Sequence, residues 1–167
     1  MIQTREQSRE ALVRWFKGIC RESGLRATAQ RLEVLLAIAR CTSHPAAEDI
    51  HRSLRGRMPT LSLDTVYRAL ALFERQGVLV RLWGPDGRFR FDPNTAPHHH
   101  LVCERCGEIK DFAWPGLAAL GEPDAARAWG RVSRIQAEVR GLCPACARKE
   151  AGRDGPRRRA PARAREG

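Results

Sequence analysis

Four cysteines fall in two pairs, Cys103-Glu-Arg-Cys106 and Cys143-Pro-Ala-Cys146, with 36 residues between Cys106 and Cys143. Four thiolates satisfy Zn(II) tetrahedrally and leave no open position, so a site of this kind holds structure rather than performing chemistry. A redox role would call for a thioredoxin-like strand-helix-strand setting, which surrounds neither pair. Just upstream, His98-His99-His100-Leu101-Val102 reads as a strand whose period of two puts His98 and His100 on one face and His99 on the other. Asp92 precedes this run, and a strand at Glu108-Ile109-Lys110-Asp111 is placed to return Asp111 beside the histidines. Mixed imidazole and carboxylate donors suit Fe(II), Mn(II) or Zn(II) and are too hard to select copper(I). Cys20 and Cys41 stand alone and read as small buried hydrophobes within helices.

The elements that must position these groups form two small lobes. In the first, residues 4 to 23 carry Leu12, Trp15, Phe16 and Ile19 on one helical stripe, with Thr4 and Gln7 at capping-box spacing and a stop at Gly24. A second helix is expected from Thr28 to residue 40, burying Leu32, Leu35, Leu36 and Ile38. Pro45 suits the first turn of a third, in which Ile50 and Leu54 lie one turn apart. A fourth opens at Ser62, buries Val66, Leu70 and Phe73, and ends at Gly77. Strands over Val78–Trp83 and Arg88–Asp92 flank Gly84-Pro85-Asp86-Gly87 as a hairpin, with Phe89 and Phe91 on one face and Arg88 and Arg90 on the other. Helices followed by a basic hairpin make a winged helix. Its fourth helix would enter the major groove, projecting Asp64, Thr65, Tyr67 and Arg68. Arg68 would reach a guanine edge or a phosphate, and Tyr67 would pack on a thymine methyl.

Charge follows the same division. The net charge is +11, yet residues 1–90 carry 16 Lys/Arg against 9 Asp/Glu, residues 91–147 carry 6 against 7, and residues 148–167 carry 8 against 3. A basic first lobe points to a polyanion, because each neutralised phosphate releases condensed counterions. No run of eighteen apolar residues occurs, and Arg and Glu interrupt the first twenty-five residues. Neither a membrane span nor a signal peptide is expected, and the protein reads as cytosolic.

The order Gly24-Leu-Arg-Ala-Thr28, His44-Pro45, Thr65-Val-Tyr-Arg68, Arg90-Phe-Asp92 and His98-His-His100 running into CxxCG resembles the ferric uptake regulator family over about residues 8 to 148. The resemblance implies an α+β chain. Residues 1–92 would form a winged-helix DNA-binding domain and residues 93–148 a metal-binding α/β dimerisation domain with a four-cysteine zinc site; residues 149–167, outside the resemblance, read from their Arg, Ala, Gly and Pro content as a disordered Arg-rich tail. It further implies a homodimer that binds a palindromic double-stranded operator when metal-loaded, with Arg26, Thr65, Tyr67 and Arg68 as candidate DNA contacts. Zn(II) would be structural at Cys103, Cys106, Cys143 and Cys146, and Fe(II) or Mn(II) regulatory at His44, Asp92, His98, His100 and Asp111. With all five regulatory ligands present, the chain looks most like the peroxide-sensing branch. There, iron-dependent reduction of hydrogen peroxide oxidises His44 and His98 to 2-oxo-histidine and lifts repression.

Asp111 supports that branch, since Glu at this place goes with iron sensing. Residues 133–136 read Ser-Arg-Ile-Gln where iron- and zinc-sensing relatives often place a further histidine. The nearest rival is an iron- or zinc-sensing repressor of the same family. Two histidines and a carboxylate also describe non-haem iron oxygenases, but candidate ligands spanning two lobes, one of them basic, argue against an enzyme. One departure stands out: Gly121, Pro123 and Gly130 interrupt the long helix of the dimerisation domain, which should be short, kinked or restarted at Pro123.

Overall fold

The computed structural model describes residues 8–132 and 134–151. The helix expected from Thr4 begins instead at Arg9, because Ser8 is extended and its Oγ accepts from the Ala11 N–H at 3.2 Å; Thr4 and Gln7 lie outside the described residues. This helix, α1 (Arg9–Glu22), buries Leu12, Phe16 and Cys20, with Trp15 and Ile19 packed partly against the same core. It closes through a left-handed Gly24 at φ +64°. There the Leu25 N–H reaches the Cys20 carbonyl at 2.7 Å and the Gly24 N–H the Arg21 carbonyl at 3.2 Å, which satisfies two otherwise orphaned carbonyls.

Helix α2 (Ala29–Ala39) starts at Thr28, whose side chain accepts from the Arg31 N–H. Cys41 falls just beyond its C-cap, Arg40, and donates to the Ala37 carbonyl at 3.2 Å, so it is not the fully buried helical thiol expected. Helix α3 (Ala47–Leu54) is capped at Ala46, whose N–H donates to Asp49. Pro45 therefore lies outside the helix rather than in its first turn, and its carbonyl accepts from the Phe91 N–H at 3.0 Å. Helix α4 (Leu63–Arg75), capped by Ser62, buries Val66, Ala69, Leu70, Leu72 and Phe73. Phe16 meets Phe73 edge-on at 6.3 Å near the centre of the helical core.

Helix α4 ends through Gly77 at φ +67°, with the Val78 N–H on the Phe73 carbonyl at 2.9 Å. Val78 and Leu79 are buried in the helical core, and the first strand of the wing starts at Val80. Strands β1 (Val80–Trp83) and β2 (Phe89–Asp92) pair antiparallel from Val80↔Asp92 to Trp83↔Phe89. The expected faces of this hairpin are only half right. Phe91 is buried, but Phe89 is exposed, stacked edge-on against Trp83 and beneath the Arg81 guanidinium. Arg90 folds inward to Asp86 at 2.8 Å and Asp49 at 3.8 Å. Ion pairing thus draws the charged side chain in where alternation alone would leave it out.

The second sheet orders its strands β4-β3-β5, from β3 (His99–Cys103), β4 (Ile109–Phe112) and β5 (Glu138–Gly141), with β3/β4 antiparallel and β3/β5 parallel. Between β4 and β5 the interrupted helix is two short ones, α5 (Pro115–Leu120) and α6 (Asp124–Trp129), with Gly121 at φ +67° between them and Pro123 as the N-cap of the second. Proline there needs no N–H and cannot continue the preceding helix. Helix α7 (Pro144–Ala151) runs on from the second cysteine pair. Lys149, Glu150 and Ala151 are accordingly helical rather than the start of a disordered tail, the rest of which lies outside the described residues. The architecture is α+β: a winged helix followed by a small α/β sheet unit.

Candidate metal centres

The two cysteine pairs meet at the end of the second sheet. Cys103 closes β3, Cys143 follows β5, and the parallel register sets Cys103 opposite Gly141. One sulfur from each of Cys103, Cys106, Cys143 and Cys146 lies within 4.8 Å of the others, and Cys106 Sγ stands 3.7 Å from Cys143 Sγ. A zinc tetrathiolate with bonds of about 2.3 Å needs neighbouring sulfurs about 3.8 Å apart, so the cluster fits the ion. Backbone N–H groups of Cys106 and Cys143 pull the Cys103 thiol down to about 6, the Cys143 N–H lying 3.3 Å from its sulfur. Burial, reinforced by the surrounding sulfurs, pushes Cys146 up to about 12. A divalent cation among four such thiols would favour the thiolate at each of them.

The second cluster joins the two parts of the fold. His44 lies in the loop between α2 and α3, Asp92 ends β2, His98 immediately precedes β3, His100 lies on β3, and Asp111 lies on β4. One ligand atom from each falls within 4.8 Å of all the others. Strand alternation does what the sequence implies: His98 and His100 point into the cluster, while His99 turns away to Phe112 and Trp114. The β3/β4 register sets His100 directly opposite Asp111. His44 is fully buried and, at φ +49°, is the one non-glycine residue with positive φ among the described residues. Such backbone strain persists where the surroundings over-determine it.

The donor atoms are spaced as ligands of one ion would be. His44 Nε2 lies 2.7 Å from Asp111 Oδ1 and 3.7 Å from Asp92 Oδ1. His98 Nε2 is 2.9 Å from both Asp92 Oδ2 and His100 Nε2, and His100 Nε2 is 3.5 Å from Asp92 Oδ2 and 3.6 Å from Asp111 Oδ1. Bonds of about 2.1 Å from nitrogen and oxygen place neighbouring donors about 3 Å apart, so this set too fits a first-row divalent metal. Burial opposes the charge of Asp92, but hydrogen bonds from His100 and His98 and from the Asn94 N–H hold its carboxyl well below the usual carboxylate range. The same bond to Asp92 raises His98 above an ordinary histidine, against its burial. His98 Nδ1 donates to the Ala96 carbonyl at 2.7 Å, so a metal that displaced the Nε2 proton would meet the Nε2 lone pair.

Two polar side chains that sequence reasoning missed surround these ligands. Asn94 donates its backbone N–H to Asp92 Oδ1 at 2.8 Å and its side-chain amide to Asp111 Oδ2 at 3.2 Å. Gln136 approaches His100 Nδ1 at 2.7 Å. Beside the cluster a cavity of about 730 Å³ is lined by His98, His99, Trp114, Val132 and Ile135 among others.

The candidate DNA contacts are less uniform. Arg26 is exposed, and Arg68 projects to solvent while pairing with Asp64 at 2.9 Å, one turn earlier. Thr65 is half-buried, its hydroxyl 2.8 Å from the capping Ser62. Tyr67 donates its phenol to Glu48 Oε1 at 2.6 Å, tying α4 to the first turn of α3.

Comparison with known proteins agrees with this architecture. The profile of the ferric uptake regulator family matches residues 22–134. The peroxide operon regulator of Bacillus subtilis is 38% identical over 130 residues, covering 78% of this chain and 90% of that protein. The peroxide-responsive repressor PerR of Staphylococcus epidermidis is 34% identical over 132 residues, covering 79% and 87%. Among solved structures, the Vibrio cholerae ferric uptake regulator superposes with a TM-score of 0.63 at 28% identity, covering 74% of this chain and 96% of that one. A zinc uptake regulator complexed with zinc and DNA gives 0.59 at 27%, covering 87% and 99%.

Proposed function

Because this chain belongs to the ferric uptake regulator family, a family of transcription regulators rather than enzymes, we propose that it is a metal-dependent repressor that senses hydrogen peroxide through its own histidines. The observation that carries the reading is the convergence of His44, Asp92, His98, His100 and Asp111 within 4.8 Å, with His44 alone contributed by the helical part. Residues 1–92 act as the DNA-binding domain and residues 93–148 as the dimerisation domain of a cytoplasmic homodimer. Arg26, Thr65, Tyr67 and Arg68 face a palindromic operator. Among the described residues no helix is long and apolar enough to cross a membrane.

Cys103, Cys106, Cys143 and Cys146 hold structural zinc, tying α7 to the end of β3. The five-residue cluster holds Fe(II) or Mn(II), and it links the loop before α3 to β4. That linkage fixes the winged helices at one spacing, so losing a ligand releases them from the operator. Fe(II) held there would supply the redox chemistry that reduces hydrogen peroxide, the imidazole of His44 or His98 giving up two electrons overall as it gains one peroxide oxygen and the other leaves as water. His98, which lines the cavity, is reachable by a small solute. The similarity to two peroxide regulators and the carboxylate of Asp111, shorter than a glutamate, both favour this trigger.

The test is peptide mass spectrometry of Fe(II)-loaded and Mn(II)-loaded protein after stoichiometric peroxide without air. Gain of one oxygen on His44 or His98 with iron alone is the expected result. Intact histidines together with metal-activated DNA binding would place the chain with the iron- or zinc-sensing repressors of the family.

A further inference from the structure

Gln136 sits just before β5, in a segment that runs beside the start of β3. The His100 N–H donates to the Ala137 carbonyl at 3.1 Å, the Ala137 N–H donates to His99 Nδ1 at 3.1 Å, and the parallel register pairs His100 with Glu138. Backbone contacts on both sides thus fix the position of Gln136, whose half-buried side-chain amide ends 2.7 Å from His100 Nδ1. On its other side, His100 Nε2 faces His98 Nε2, Asp92 Oδ2 and Asp111 Oδ1 at 2.9 to 3.6 Å.

An imidazole that ligates through Nε2 carries its hydrogen on Nδ1 and needs an acceptor there. His98 has one in the Ala96 carbonyl. His100 has the Gln136 amide at the corresponding place, with Nε2 nearest to Nδ1; a simple flip of the amide, whose oxygen and nitrogen are nearly isosteric, brings Oε1 there instead. On the proposed regulatory site, therefore, we infer that Gln136 is a positioning residue: its Oε1 accepts from His100 Nδ1–H, fixes the tautomer with the Nε2 lone pair toward the metal, and holds the ring in place. The group reaches the site from the segment leading into β5, so the stretch of chain that goes on to Cys143 and the zinc cluster also supports the regulatory cluster.

The test is Mn(II) binding to the full-length, zinc-loaded protein, comparing Gln136→Ala, Gln136→Glu and Gln136→Lys with the parent, alongside His100→Ala. Removing the acceptor should weaken Mn(II) by about 10- to 100-fold. Glutamate, a stronger acceptor, should restore parental affinity or better, and lysine, which cannot accept, should be at least as weak as alanine. Nitrogen-15 spectra of the Zn(II)-substituted protein should show His100 protonated at Nδ1 in the parent and in Gln136→Glu. Thermal melting separates a folding defect from a local one, since the glutamate and lysine variants should melt together while their affinities differ. If His100→Ala loses Mn(II) but Gln136→Ala does not, or if lysine binds as well as glutamate, Gln136 has no such role and the metal site stands. If His100→Ala binds as the parent does, both the site and the role fall.

Discussion

His44 Nε2 and Asp111 Oδ1 lie 2.7 Å apart, across the boundary between the helices and the three-stranded sheet. One residue sits in a loop of strained backbone, the other in a strand, and their sequence positions are 67 residues apart. A metal held by both, as proposed, would tie the helical part to the sheet more firmly than this contact alone.

That spacing leaves little room for another methylene at position 111. Asp111→Glu should keep Mn(II)-activated operator binding, because a carboxylate is still present, but should lower histidine oxidation in the Fe(II) protein by about tenfold or more as the donor set rearranges. Operator binding by fluorescence anisotropy and 2-oxo-histidine by mass spectrometry check the two halves. Oxidation at the parental rate would show that the length of this carboxylate does not set the trigger.

Asn94 touches both carboxylates, through its backbone N–H to Asp92 and its side-chain amide to Asp111. Asn94→Ala keeps the first bond and removes the second, freeing Asp111 to turn. Mn(II) should bind about tenfold more weakly, as expected for loss of a hydrogen bond behind a ligand, while the melting temperature of the metal-free protein stays near the parental value. Unchanged affinity in a metal titration would remove Asn94 from the site.

Periodicity made much of this legible. A period of two set His98 and His100 on one face, the CxxC spacing gave the tetrathiolate, and Gly121 with Pro123 marked the divided helix. His44 had no such signal: nothing in its surroundings announces a left-handed histidine meeting a strand from a later part of the chain, and only the family resemblance brought it in. Asn94 and Gln136 were missed because their roles depend on strand pairing. The parallel β3/β5 register that brings Gln136 to His100 leaves no local mark in the sequence. The faces of the wing were misjudged at Phe89 and Arg90, because alternation carries no information about the pairing of Arg90 with Asp86 and Asp49.

At the thiolate cluster, Cys103→Ser should remove zinc and stability together. The Cys103 sulfur accepts the Cys143 N–H at the end of the central strand β3, where it pairs with β5, so its loss loosens the join of these two strands as well as the ion. Since binding free energy at such a site is folding free energy, a cost of even about 2 kcal/mol would lower the melting temperature by on the order of 10 °C for a unit of this size. Zinc content and calorimetry measure both effects. A zinc-free variant that melts with the parent would contradict a structural role.

Tyr67 is the single tyrosine of the chain, so its phenol can be titrated without ambiguity by ultraviolet absorbance. The hydrogen bond to Glu48, helped by burial and by the charge of that carboxylate, raises Tyr67 above its ordinary value of about 10, while the same bond holds Glu48 below the usual carboxylate range. A raised folded value in an acid that is neutral below it means that the contribution from Tyr67 is fully present below about pH 10 and is lost as pH rises through the folded value. The depressed Glu48 contributes above the unfolded carboxylate value and is lost as pH falls through the folded one. The contact between α3 and α4 is therefore strongest across neutral pH, where an operator would be read. Glu48→Gln should bring the phenol back toward about 10 and leave Tyr67 more mobile on the exposed face of α4, weakening operator binding a few-fold. An unshifted phenol in the variant would mean that Glu48 does not hold Tyr67 in solution.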